Sequence, residues 1–129
     1  MDRVRYLEHQ GKQILLTDLS NQSGADIVTT IVAAAKVIRT HPPGSLLTVT
    51  DTTNVQFTLR AGSGEYDRGS VEAIRSTLSG NRAHVRASAI VVPPDDARRI
   101  LVEFFNRASD RQFEIFETMA EALGWLARQ

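Results

Sequence analysis

The sequence predicts an α/β fold: a mostly parallel, mixed five-stranded sheet in the order ββαβαβαβα, with helices on both faces. Three observations lead there. Two short apolar-bearing runs, residues 4–8 and 13–17, flank Gln10-Gly11-Lys12, the pattern of an opening β-hairpin. After them, segments of helical period alternate with strand-like runs, which implies βαβ units with right-handed crossovers. Finally, Ala89-Ile90-Val91-Val92 lacks polar alternation, as expected of a strand covered on both sides.

Each element has its own signal. Ile14-Leu15-Leu16 marks the more buried arm of the hairpin. Ser23-x-x-Asp26 resembles a capping box, and Ile27, Ile31, Ala34 and Ile38 then form one helical stripe that ends at His41-Pro42-Pro43-Gly44. Residues 46–50 are β-branched and continuous enough for a central strand, with Asp51-Thr52-Thr53-Asn54 as the polar turn at its carboxyl end. Val71, Ile74 and Leu78 share a helical face, and Gly80-Asn81 is expected to close that helix. Residues 85–92 follow as a strand. Pro93-Pro94-Asp95-Asp96 opens a helix with acids where the macrodipole favours them, and Ala97, Ile100, Leu101, Phe104 and Ala108 make its inner stripe. Residues 112–116 point Phe113 and Ile115 inward as a last strand. Thr118-x-x-Glu121 then caps a final helix packed through Met119, Ala122, Leu123 and Leu126.

Length and composition set the bounds. With 129 residues, 42% of them hydrophobic, the chain predicts one domain over residues 1–129 that buries roughly two-thirds of its unfolded surface. Fifteen basic and fifteen acidic side chains cancel, so no global field draws the protein to nucleic acid or anionic lipid. The lack of cysteine excludes disulfides, zinc-thiolate sites and a cysteine nucleophile. Charges at Asp2, Arg3 and Arg5 leave no apolar export signal, and no run approaches the roughly 20 apolar residues of a membrane span. A cytoplasmic protein that is not transmembrane is expected.

The order and spacing of four segments resemble the SpoIIAA-like branch of the STAS superfamily, small bacterial proteins similar in fold to CRAL-TRIO lipid-carrier domains. Those segments are Ile14-Leu15-Leu16-Thr17-Asp18, Leu46-Leu47-Thr48-Val49-Thr50-Asp51, Ala87-Ser88-Ala89-Ile90-Val91-Val92, and Phe116-Glu117-Thr118 through Ala122-Leu123-Gly124-Trp125-Leu126. The likeness spans nearly the whole chain. In anti-sigma-factor antagonists of this type, an Asp-Ser-Ser-Gly turn after the third strand carries a serine whose phosphorylation switches partner binding. Asp51-Thr52-Thr53-Asn54 stands there, so the resemblance implies a phosphorylation site at Thr53. Threonine replaces the serine and Asn54 the glycine. A larger departure is the inserted stretch 55–69, which holds Phe57, Gly62-Ser63-Gly64 and Tyr66 and reads as a loop or lid beside the turn.

Ligands of open α/β sheets meet the carboxyl ends of the parallel strands, where Asp18, Asp51, Thr53, Pro93 and Thr118 should converge. The plainer reading of Asp18 and Asp51 is as caps of loops and helices. His9, His41 and His84 lie in three different elements and fit no nucleophile pattern, and neither Gly-x-Ser-x-Gly nor a phosphate loop is present. Neither a metal site nor a cofactor is specified. Adjacent Phe104 and Phe105 cannot both face one core, so Phe105 is a candidate for an apolar pocket or a dimer interface. Arg98, Arg99 and Arg107 are balanced by Asp95, Asp96 and Glu103.

The first functional expectation is therefore a non-catalytic regulatory or partner-binding module. Its ligand or partner surface would comprise Asp18, Asp51, Thr52, Thr53, Phe57, Tyr66 and Phe105, switched at the Asp51–Thr53 turn. The alternative is a CRAL-TRIO-like carrier of a small apolar ligand, gated by the 55–69 loop. An enzyme of unidentified class is the third choice, and a symmetric homodimer through Phe105 or an edge strand is compatible with any of them.

Overall fold

In a computed structural model, residues 3–22, 24–55, 68–94 and 113–129 are described. The hairpin forms β1 (Val4–His9) and β2 (Lys12–Asp18), paired antiparallel. His9 faces Lys12 across a two-residue loop in which Gln10 and Gly11 take φ of 50° and 80°. Positive φ at both central residues is the backbone of a type I′ turn, whose twist matches that of the flanking strands. Helix α1 (Gly24–Ile38) leads to β3 (Leu46–Asp51), and α2 (Arg68–Asn81) leads through a short 3₁₀ turn (Arg82–His84) to β4 (Val85–Val91). The last described elements are β5 (Phe113–Phe116) and α3 (Met119–Ala127). The five strands lie in the order β1-β2-β3-β4-β5, all parallel from β2 onward.

Alternation along the strands divides the core between two faces. On one, Ile14, Leu16, Val49, Ala89 and Val91 pack against Ala122 and Leu126 of α3. On the other, Leu15, Leu46 and Ile90 meet the α1 stripe Ile27, Ile31, Ala34 and Ile38, together with Ile74 of α2. The second half of the predicted strand at 85–92, Ala89-Ile90-Val91-Val92, is buried on both sides, as its unbroken apolar run implies, whereas Arg86 in the first half is exposed. Thr118 caps α3 by accepting the Glu121 N–H at 3.2 Å, while its own hydroxyl donates to Glu121 Oε1 at 3.0 Å. The box thus closes on the threonine hydroxyl.

Gly80-Asn81 closes α2, which ends at Asn81 as expected. Arg39, just past the end of α1, lies where a side chain at position 80 would stand, its Nη2 donating to the Thr77 carbonyl at 3.3 Å. The expected insertion ends sooner than its predicted bound at 69, since α2 begins at Arg68. Val55, its first residue, packs against the cluster beneath α1 and α2. The rest of that insertion and the predicted helix after Pro94 fall outside the described residues, with Phe57, Tyr66 and Phe105.

Candidate functional site at the carboxyl edge of the sheet

Parallel strands bring their carboxyl ends to one edge, and register brings Asp18 and Asp51 side by side there. Pairing continues beyond the strands. The Leu19 N–H donates to the Asp51 carbonyl at 2.9 Å, Asn21 N–H to the Thr53 carbonyl at 3.0 Å, and Val92 N–H to the Phe116 carbonyl at 2.8 Å. Asp18, Asp51, Thr53, Pro93 and Thr118 therefore share this edge, as expected of loops that follow parallel strands.

Two of those loops are built alike. In Asp18-Leu19-Ser20-Asn21, Asp18 Oδ1 accepts the Ser20 N–H at 2.9 Å and the Ser20 hydroxyl at 2.5 Å. In Asp51-Thr52-Thr53-Asn54, Asp51 Oδ1 accepts the Thr53 N–H at 2.9 Å and the Thr53 hydroxyl at 2.6 Å. Each loop turns its second residue into the core and ends on an asparagine in the left-handed region, with φ of 62° at Asn21 and 57° at Asn54. Asparagine tolerates that conformation better than other side chains do, so Asn54 performs the turn for which the resemblance expects glycine. The shared motif, Asp-x-Ser/Thr-Asn, stands in the sequence twice. Ser20 and Asn21 therefore join the edge although sequence reasoning passed over them.

Charge separates the twins. Arg3 Nη1 donates to the Ser20 carbonyl at 2.7 Å and lies 3.8 Å from Asp18 Oδ1. Asp51 has no ion pair among the described residues. Among the described residues its carboxylate receives the N–H and O–H of Thr53 in the turn.

Thr52 leaves the predicted surface. It is 1% exposed, and its hydroxyl donates to the Val91 carbonyl at 2.6 Å. Alternation explains the reversal: once Asp51 ends the strand at the rim, the next side chain points inward. Thr53, one residue further, is half-buried with its hydroxyl at the rim.

Two of the histidines take structural partners among the described residues. Nε2 of His41 meets the Tyr6 hydroxyl at 2.7 Å, and Nδ1 of His84 donates to the His41 carbonyl at 2.8 Å, tying loops at the opposite edge of the sheet. Among the described residues no three His, Asp or Glu side chains gather as metal ligands, and no helix is long and apolar enough to cross a membrane. Compared with models of known protein families and with curated proteins, the chain matches none.

Proposed function

We propose that the protein is a non-catalytic, partner-binding regulatory module of STAS type, with the Asp51–Thr53 turn at its docking rim. The observation that carries this reading is the Thr53 hydroxyl, half-buried at the rim and donating at 2.6 Å to a carboxylate that has no cationic partner among the described residues. A kinase transferring the terminal phosphoryl group of a nucleoside triphosphate to Thr53 Oγ1 would release the diphosphate and the hydroxyl proton. The esterified Oγ1 no longer carries a proton to donate to Asp51, and the phosphoryl group adds about −1.5 to −2 charges beside that carboxylate. At 4 Å, each pair of unit charges repels by about 1 kcal/mol in water and about 4 kcal/mol at a protein surface. That repulsion is comparable to the hydrogen bonds that close the turn, so modification opens it and changes the docking rim.

The test compares native protein, Thr53→Asp and Thr53→Val as baits in a lysate of the source cells, with mass spectrometry of Thr53. A partner retained by native and Thr53→Val baits, lost at least tenfold from Thr53→Asp, and accompanied by phosphate on Thr53 in cells is the expected outcome. Identical partner sets with Thr53 unmodified would discard the switch.

The ligand-carrier alternative draws on a different observation, a cavity of about 40 Å³ between the sheet and helices α1 and α2. An engineered cavity of about 150 Å³ holds one benzene ring, so this volume suits a few heavy atoms and not an acyl chain. Its lining also carries hydroxyl groups, which an apolar ligand leaves unsatisfied.

A further inference from the structure

Covered faces of parallel sheets are ordinarily filled with branched aliphatic side chains. Beneath α1 and α2, four neighbouring positions carry hydroxyls. Thr17 pairs in register with Thr50 across β2 and β3, and Thr48 with Ser88 across β3 and β4. All four are buried. Valine matches threonine in shape and has no hydroxyl to strip of water, so this face sacrifices stability unless the hydroxyls have a use.

Above them α2 packs mainly on α1, and the cavity of about 40 Å³ lies in the remaining gap. The four hydroxyls face it from the sheet, with Ala34 from α1 and Leu78 and Asn81 from α2. Asn81 is 6% exposed, yet its Oδ1 has no hydrogen-bond partner among the described residues. Thr48 and Ser88 share a 2.6 Å hydrogen bond, which uses one hydroxyl hydrogen and leaves the second. Among the described residues none of the lining side chains is ionisable, so these residues offer a charged guest no counter-charge for its desolvation.

We propose that this chamber is a binding site for a small uncharged molecule of about three heavy atoms bearing a hydroxyl or amide group. Its polar end bonds Asn81 and the hydroxyl floor, and its carbon lies against Ala34 and Leu78. A group that both donates and accepts meets Asn81 in either orientation of the amide. A ligand this small is held with a dissociation constant of about 1 mM or weaker. The site is separate from the rim, and its fate does not depend on Thr53.

Titration of the isotope-labelled full chain, followed by nuclear magnetic resonance, tests it. The probes are formamide and ethanol, with formate as the charged analogue and xenon as the apolar one. Saturable shifts at Ala34, Thr50, Leu78 and Asn81 with formamide or ethanol are expected, with none from formate. Asn81→Leu should weaken binding at least tenfold. Thr50→Val preserves shape, so it reports even where Asn81→Leu fails to fold, and a severalfold loss is expected. Shifts that never saturate, binding of formate or xenon as tight as that of formamide, or unchanged affinity in Thr50→Val would overturn the proposal.

Discussion

Thr52 and Thr53 are neighbours of identical chemistry with opposite surroundings. The hydroxyl of Thr52 is sealed against the Val91 carbonyl, which also accepts the Thr52 N–H at 3.1 Å. Thr52→Val keeps the shape and removes that donor, and because the carbonyl retains its N–H the expected loss of stability is about 1 kcal/mol by urea unfolding. Thr53→Val removes a bond at the rim and should cost less, while eliminating the acceptor of phosphate. Nothing in the sequence separates the two residues, because their difference depends on where β3 stops. Asp51 and Asp18 were legible as capping carboxylates. Their unequal charge environment was not, since Arg3 reaches Ser20 through the antiparallel pairing of β1 with β2.

At the scale of elements, periodicity was informative wherever one face is buried. The α1 stripe, the β4 run and the Thr118 cap are present as read. The end of α2 at Gly80-Asn81 was legible from Gly and Asn as a helix stop, whereas the crossing of Gly80 by Arg39, a tertiary reason for the small residue, was not. In the hairpin, Gln10 occupies a position of φ 50°, where asparagine is better suited, so Gln10→Asn should raise stability by about 0.5 kcal/mol and the melting temperature with it. In α3, Leu126 is fully buried against the sheet, and Leu126→Ala should cost about 2 to 5 kcal/mol in denaturant unfolding, against about 0.5 to 2 for Thr118→Ala at the cap. A smaller loss for Leu126→Ala than for Thr118→Ala would contradict the packing of α3 onto β3 and β4.

For the molecule as a whole, local patterns indicated an α/β class but not the strand order. Pairing of β2 with β3 and of β3 with β4 joins residues more than thirty positions apart, and hydrophobic period carries no record of which distant strand lies alongside. Given that order, the edge bearing Asp51 and Thr53 follows, because every parallel strand ends there. The hydroxyl face under α1 and α2 was equally hidden: Thr48 and Thr50 read simply as β-branched strand residues until the two layers were seen together. The two sites thus occupy different parts of the same sheet, one on its rim and one beneath its helices.

Hydrogen–deuterium exchange of the protein, free and bound to the partner recovered with it, addresses the docking rim most directly. Binding should slow exchange at residues 19–21 and 52–55 and leave α3 unchanged. Protection confined to α3 or to β1, with both Asp-x-Ser/Thr-Asn turns exchanging as before, would place the partner elsewhere and contradict the account.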